Sequence, residues 1–444
     1  MAEIRSFKGI IYNKDTIANL SLVIAPPYDV ISPEHQDHLY EQSPHNIVRI
    51  IKGKEFLDDD ESDNTSMRAN RYFQQWLGEG ILREEPEEAI YACQDEYRLP
   101  NGTKNVRKGF LALFRLEDFG TGTIYPHERT LAGPKEGRLR LMKACSANFS
   151  AVFSLYSDPE RRVERIMEEV CTSAPDIEIL SQERILHRVW KISNPGHCDA
   201  LVKAMAGQRI FIADGHHRYE TALNYRRLMR ETHGSAGDVE PYDYCLMYFS
   251  NTDDEGLSIL PYHRMINNLS PDLLETLPER AKEWYDVKHI PFDGIAVTEA
   301  AARRNLTRLM ALMGGKRPAF GYYTGGRRYT LFVLKHHTDI NDIVPGGGSH
   351  AWKSLDVNIL HSLIFERILG ISPEDFEKKG TLSFTPDMIK AIDCVNMKSV
   401  QAAVFVNPTG IEQVKVVALN GEKMPQKSTF FYPKLPTGLV MRRI

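Results

Sequence analysis

The feature that most constrains this chain is an abrupt change from a strand pattern to a helix pattern near its middle. Residues 210–213 form a short apolar run that predicts a buried strand. The run ends at Asp214 and Gly215, and a helical pattern begins around His217. Such a helix start presents unpaired backbone N–H groups and the positive end of the helix dipole, and Arg218 adds a permanent cation. The segment therefore predicts a site for an anion.

Arg218 is expected to need a negatively charged partner. It lies at the head of the apolar stripe of the predicted helix, which consists of Thr221, Ala222, Tyr225, Leu228 and Met229. An arginine on such an inward face requires a counter-charge. Asp214 or another carboxylate could supply it as a structural ion pair, or a bound phosphate or carboxylate could supply it as a ligand. The adjacent His216 and His217 favour the ligand.

Composition is that of a soluble globular protein, with 42% apolar and 26% charged residues in a chain of 444. Its formal net charge of −4 argues against a protein that binds nucleic acid through bulk positive charge. The six cysteines show no zinc-binding or disulfide pattern. No signal peptide and no apolar run of roughly 18 residues is present, so we expect a cytoplasmic protein without a membrane span.

Strand patterns alternate with helix patterns along the chain, which predicts a mixed α/β (α+β) fold with mixed sheets and flanking helices. A hairpin is expected from residues 90–99 and 106–116 around Asn101-Gly102, and a strand from residues 46–51. We expect a core domain at residues 1–264 and a possible inserted α/β lobe at 265–345. Residues 346–444 would form a C-terminal segment that returns to the core.

Two loops carry further polar groups. Two prolines stiffen the first loop, which presents Tyr28 and Asp29, although Asp29 could equally bond its own backbone there. The second loop offers Glu128 as a candidate general base and, as candidate phosphate ligands, His127, Lys135 and Arg138. Surface charge alone is the alternative explanation for this second cluster.

A third polar segment, Lys427-Ser428-Thr429, is similar in order to the end of a phosphate-binding P-loop. That loop requires a glycine directly before the lysine, where this chain has Gln426. A P-loop is therefore excluded, but the lysine and the two hydroxyl groups could still contact phosphate.

Together, three motifs resemble a prokaryotic family known chiefly as a domain of unknown function. They are APPYDVI at residues 25–31, ADGHHR at residues 213–218, and the tail with Lys427-Ser428-Thr429 and the sequence FFYPKL at residues 430–435. The likeness spans nearly the whole chain.

The turn at residues 214–218 is also similar to the signature of the ParB/sulfiredoxin superfamily, which includes free-serine kinases, partition proteins and sulfiredoxins. This resemblance implies that Asp214 fills the acidic position, that Gly215, His217 and Arg218 grip nucleotide phosphates, and that His216 takes the variable position. Tyr28 precedes the turn by about 190 residues, much farther than in the compact superfamily domain, which implies large insertions. The turn has no neighbouring sulfiredoxin cysteine.

These patterns predict a small-molecule phosphotransferase that acts on a hydroxylated metabolite such as free serine. The donor would be ATP, ADP or another nucleotide or polyphosphate, with Mg²⁺. The predicted phosphate clamp consists of Lys135, Arg138, His217, Arg218 and Lys427. Asp214 would orient Arg218 or hold Mg²⁺, and Asp29 or Glu128 would accept the hydroxyl proton.

Two other functions stay open at this point. One is a hydrolase whose Zn²⁺ or Mn²⁺ would be bound by Asp214, His216, His217 and His127. The other is a nucleotide-sensing or partition-type protein without catalysis. The sequence predicts a small-molecule partner and does not specify an oligomeric state.

Overall fold

A computed structural model describes residues 2–130, 132–234, 239–372 and 380–444. The chain forms two compact units. The first comprises Met1–Ser258 together with Pro433–Ile444, and the second comprises Ile259–Tyr432. Residues 265–345, expected as an inserted lobe, therefore share one unit with residues 346–432, whereas residues 433–444 belong to the first unit.

Strands and helices alternate along both units. The strands, in chain order, are β1 (Ile4–Arg5), β2 (Gly9–Tyr12), β3 (Leu82–Glu84), β4 (Ile90–Arg98), β5 (Lys104–Arg115), β6 (Ile124–Tyr125), β7 (Ala147–Asn148), β8 (Val152–Tyr156), β9 (Ile177–Leu180), β10 (Leu186–Ile192), β11 (Ile210–Asp214), β12 (Tyr244–Asn251), β13 (Ser258–Leu260), β14 (His263–Ile266), β15 (Tyr285–Pro291), β16 (Ala319–Tyr323), β17 (Arg328–Leu334), β18 (Leu382–Thr385), β19 (Ala402–Phe405), β20 (Phe430–Tyr432) and β21 (Met441–Arg443). The α-helices are α1 (Pro33–Gln42), α2 (Val48–Ile51), α3 (Thr65–Gly78), α4 (Ala132–Cys145), α5 (Arg162–Val170), α6 (Pro195–Met205), α7 (His216–His233), α8 (Pro271–Ala281), α9 (Ala296–Gly314), α10 (Ile340–Ile343), α11 (His350–Lys353), α12 (Asp356–Ile359), α13 (Met388–Asn396) and α14 (Ile411–Leu419), and a π-helix (Leu360–Ile368) follows α12. None of the helices in these described ranges is long and apolar enough to cross a membrane.

The first unit is built on a nine-stranded sheet in the order β6-β11-β8-β12-β5-β4-β10-β9, with β1 also paired to β5. Strand β8 runs parallel to β12 and antiparallel to β11, so the sheet is mixed. A second sheet, in the order β3-β2-β21-β7, includes the last strand of the chain. The predicted mixed α/β fold with flanking helices is confirmed.

Local sequence signals explain where several elements begin and end. The hairpin of β4 and β5 turns at Gly102, whose positive φ of 87° suits a residue without a Cβ. The predicted strand at residues 46–51 is wrong, because Val48–Ile51 form helix α2. The Asn46 side chain accepts a hydrogen bond from the Val48 N–H at 2.9 Å, as a helix cap does. A short, mainly apolar run shows no hydrophobic periodicity that would distinguish a strand from a helix.

The second unit has a six-stranded sheet in the order β15-β17-β16-β19-β14-β18, in which every described pair is antiparallel. Residues of α8 and the π-helix belong to one buried apolar cluster on this sheet, and residues of α9 and α13 belong to another. Apolar side chains cover both faces of this sheet, which explains why the sequences of several of its strands are nearly continuous hydrophobic runs.

Because His263 is buried, we expect the second unit to lose stability in acid. Burial and the charge of Arg264 lower its pKa from 6.5 to about 4, although Asp387 opposes them. The unfolded chain takes up a proton on His263 near pH 6.5, whereas the folded chain does so only at about pH 4. The contribution of neutral His263 to the free energy of unfolding is therefore complete above pH 6.5 and is lost as the pH falls to about 4. It amounts to about 3 kcal/mol.

His263→Asn keeps an acceptor for the Val406 N–H but removes the titrating group. We expect the free energy of unfolding, measured in urea between pH 7 and pH 4, to change less steeply in this variant than in the wild type. His336→Asn, at an exposed position of the same unit, serves as the control. An unchanged slope in His263→Asn would refute the prediction.

Candidate functional site

The predicted strand-to-helix turn is present at the junction of β11 and α7. Strand β11 lies between β6 and β8, and Gly215 caps the 18-residue helix α7 with a φ of 90° and a ψ of 28°. A Cβ at Gly215 would lie 2.7–2.9 Å from three atoms of the Arg218 guanidinium. Glycine is therefore required for the backbone conformation, and a larger residue would also displace the guanidinium of Arg218.

Two cations hold the Asp214 carboxylate. Arg218 donates to Oδ2 at 2.8 Å and Lys434 donates to Oδ1 at 2.9 Å. Burial alone would raise the pKa of Asp214, but the charges of Lys434 and Arg218 outweigh it and hold this pKa well below its usual range. The structural partner expected for Arg218 is thus Asp214, and Arg218 also donates to the Ala151 carbonyl.

Lys434 is the site residue that the sequence analysis missed. It belongs to Pro433–Ile444, the C-terminal segment of the first unit. In this segment the Thr437 backbone pairs with Ala25, and Thr437 Oγ1 forms a 2.7 Å hydrogen bond with Ser150 Oγ. The FFYPKL motif contains this lysine, but the motif alone does not specify its contact with Asp214.

A buried network anchors the residue before Lys434. Arg107 is fully buried, donates to the Pro433 carbonyl, and forms a 2.7 Å ion pair with Asp95. His187 contacts the other oxygen of Asp95 at 2.6 Å. Two side chains, one of them a cation, thus satisfy the buried carboxylate, and the backbone next to Lys434 is fixed.

A small pocket with a cavity volume of about 50 Å³ lies beside the turn. Tyr28, Arg138 and Arg218 form part of its lining, and Leu141 and Phe149 contribute apolar wall. The Arg138 guanidinium stacks over the Tyr28 ring at 4.1 Å from the ring centre and donates to a backbone carbonyl at 2.6 Å. Arg138 and Lys135 lie on helix α4, not on the irregular loop that the sequence suggested.

The electrostatics of this pocket are dominated by positive charge. Burial lowers the pKa of Arg138, the charges of Tyr28 and Asp29 raise it, and the charge of Arg218 lowers it further. The exposed Asp29 also raises the pKa of Tyr28, whose burial is the larger cause. Burial lowers the pKa of His217, with Glu220 and Asp29 opposing. Asp29, Arg138, His217 and Arg218 are therefore close enough to act on one another.

His127, Glu128 and His216 form a neighbouring cluster. The two imidazole rings are buried edge to face with centres 4.7 Å apart. Nε2 of His216 accepts from the His127 N–H at 3.2 Å, and Nδ1 of His216 lies 3.8 Å from Glu128. Nδ1 of His127 donates to the Ile212 carbonyl at 2.8 Å. These contacts fix both rings against the end of β11.

The remaining predicted ligands have other described contacts. Lys135 forms a 2.8 Å ion pair with Glu220, which also accepts from Thr130. The segment Lys427-Ser428-Thr429 belongs to the second unit, where Ser428 Oγ donates to the Pro425 carbonyl at 2.6 Å. Phosphate binding by these residues stays a prediction.

A protein-only site for a transition metal is not favoured. Among the residues that the structure describes, no group of three or more His, Cys, Asp or Glu side chains could hold a metal ion. Asp214 is engaged by two cations, and Nδ1 of His127 and Nε2 of His216 are engaged in hydrogen bonds. Within the described ranges, the geometry does not favour the zinc or manganese hydrolase.

Comparison with known families gives one match, to the family described as "Protein of unknown function (DUF1015)", over residues 4–358. The chain belongs to this family. A comparison with curated protein sequences finds no match.

Several solved structures are similar in part. A free serine kinase variant in complex with AMP aligns at 12% identity and a TM-score of 0.33, over 70% of this chain and 84% of that chain. A conserved hypothetical protein from Pyrococcus furiosus aligns at 12% identity and 0.32, over 71% and 90%. A C-terminally truncated SbnI from Staphylococcus aureus aligns at 11% and 0.31, over 70% and 81%. TM-scores this low support no functional argument, so the proposed function rests on the geometry of the pocket.

The variant Lys434→Met tests how much the ion pair between Lys434 and Asp214 contributes to stability. Removal of one cation from a nearly buried ion pair is expected to lower the free energy of unfolding by about 2 kcal/mol at pH 7. Because the depressed pKa of Asp214 contributes stability that is lost as the pH falls through that pKa, the variant should become acid-sensitive at a higher pH than the wild type. Chemical denaturation from pH 7 to pH 3 measures both effects.

The exposed Lys143→Met on α4 is the control and should behave as the wild type. The double variant Asp214→Asn/Lys434→Met should lose less stability than the sum of the two single variants. Additive losses would show that the two side chains are not energetically coupled.

Proposed function

We propose that this protein is a small-molecule phosphotransferase. It would move a phosphoryl group from a nucleotide or polyphosphate donor to a hydroxylated metabolite such as free serine. The observation that carries the proposal is the pair of arginines, Arg138 and Arg218, that line one pocket at the start of helix α7. The resemblance of this turn to that of free-serine kinases is in agreement with it.

Two arginines in one pocket favour an anion between them. Burial and the charge of Arg218 both disfavour the charged form of Arg138, and an anionic ligand would relieve both effects. Phosphoryl transfer depends mainly on cations positioned around the transferred group, with little covalent chemistry. The pocket supplies that type of group next to the positive end of a helix dipole.

The geometry separates the roles of the carboxylates. Asp214 is a poor base because Lys434 and Arg218 hold its pKa far below the usual range. Its role would be to orient Arg218. Asp29 is exposed and acts electrostatically on Arg138 and His217, so it is the better candidate to accept the proton of a substrate hydroxyl.

Mg²⁺ fits such a pocket without a preformed cage. It is commonly held by one or two carboxylates together with the phosphates of the substrate. Asp29, the exposed carboxylate that acts on Arg138, would hold it in a mechanism in which Glu128 accepts the proton. When bound with a nucleotide, Mg²⁺ would neutralise charge on the phosphates.

Arg218→Ala and Arg138→Ala test the proposed clamp. Each is expected to lower phosphate transfer by roughly three orders of magnitude, since cations at the transferred group act mainly in the transition state. Nucleotides, pyrophosphate and hydroxylated amino acids are first screened by thermal shift with the full chain, and the stabilising pairs are then assayed for transfer.

Arg227→Ala and Arg140→Ala are matched controls on α7 and α4, because their side chains are 61% and 63% exposed. Both should keep wild-type turnover. Wild-type activity in Arg218→Ala would exclude the clamp, and binding of nucleotides without any transfer would favour a nucleotide-sensing protein.

Asp29→Asn tests the proposed base. We expect kcat to fall by about two to four orders of magnitude while the donor KM stays nearly constant, because the change removes proton transfer and leaves both arginines. Asp15→Asn, at an exposed position of the same unit, is the control. Retention of kcat in Asp29→Asn would move the role to another group, with Glu128 as the next candidate.

A further inference from the structure

The second unit contains an arginine that is completely buried without a carboxylate partner. Arg264 lies on β14 between β18 and β19, and its exposed fraction is 0%. Its guanidinium donates to the Tyr262 carbonyl and, at 3.4 Å, to the Lys427 carbonyl. Its Nε has no hydrogen-bond partner. The Phe384 ring centre lies 5.7 Å from the guanidinium carbon, and the charge of Arg264 also acts on His263 and His361.

This arrangement is energetically unusual. An arginine removed from water normally has a carboxylate or another anion against it. Burial lowers the pKa of Arg264 to about 9, and no nearby carboxylate opposes the shift. The guanidinium is still charged at neutral pH, so its positive charge lacks a counter-charge among the residues that the structure describes.

A second cation lies beside the same tyrosine. Lys427 is half-buried, has a φ of 58°, and places Nζ 5.2 Å from the centre of the Tyr262 ring. In the described ranges it forms no salt bridge. The hydrogen bond from Arg264 to the Lys427 carbonyl ties the two residues together. Arg264, Tyr262 and Lys427 thus form a cluster with two positive charges.

We infer that this cluster binds a phosphate group. Two positive charges match the charge of about −1.5 to −2 that a phosphate monoester carries at pH 7, better than they match a single carboxylate. Lys427 reaches solvent and would contact the phosphate oxygens, and Arg264 supplies fixed positive charge behind it. The Lys427-Ser428-Thr429 segment, rejected as a P-loop, thereby gains a phosphate role that needs no glycine-rich turn.

This inference does not depend on the proposed phosphotransferase activity, because each of its residues belongs to the second unit. It is tested by titration calorimetry on the full chain carrying Arg218→Ala, which weakens the clamp of the first unit. Inorganic phosphate, AMP and acetate are titrated separately at constant ionic strength. We expect saturable binding of phosphate or AMP and binding of acetate that is at least about tenfold weaker.

Lys427→Met, added to Arg218→Ala, should weaken phosphate binding by about tenfold or more, as expected for the loss of one charge-assisted contact. Lys398→Met is the matched control, because Lys398 is an exposed lysine of the same unit with the same φ of 58°. Arg264→Met should abolish saturable binding. If Arg264→Met does not fold, Lys427→Met alone decides.

Four results would overturn the inference. Three are the absence of saturable phosphate binding, equal affinity in Lys427→Met and Lys398→Met, and acetate binding as tight as phosphate binding. A fourth is an Arg264→Met variant that is more stable than its parent and still binds phosphate, since Arg264 would then only hold the backbone of residues 262 and 427.

Discussion

The carboxylate of Asp214, held between Arg218 and Lys434, is the interaction on which the candidate site depends. It joins a strand end, the first turn of a helix and a segment more than 200 residues later in the sequence. One carboxylate with two cations leaves a positive charge in excess, and Arg138 adds another. The exposed Asp29 opposes these charges, and Lys52 adds to them. An excess of positive charge of this kind would favour an anionic ligand.

Burial decides how strongly each charge acts. Arg218 and Asp214 are nearly enclosed, with side chains 12% and 17% exposed, so water screens their attraction weakly. Arg138 has an aromatic ring and one backbone carbonyl for partners and, among the residues that the structure describes, forms no ion pair, and it is therefore the cation with the most to gain from a ligand. Surface pairs such as Arg140 with Glu136 contribute little by comparison.

Much of the architecture could be predicted because it depends on local signals. The hairpin at Gly102 and the turn at Gly215 follow from glycine, and helix α7 follows from its apolar period. Helix α2 was misread because a short apolar run has no diagnostic period. Lys434 could not be placed beside Asp214 from the pattern alone, because their contact depends on how a distant segment pairs with Ala25. Periodicity specifies elements, whereas long-range pairing specifies which side chains meet.

The first unit is discontinuous in the sequence, and this has a consequence for its biosynthesis. Strands β1 to β12 leave the ribosome well before Pro433–Ile444, with the whole of Ile259–Tyr432 between them. During that interval the edge between β2 and β7 lacks strand β21, and Asp214 lacks Lys434. A nascent chain can thus form most of the sheet while Asp214 still lacks one of its two cations. The ion pair with Lys434 becomes available only after the second unit has been synthesised.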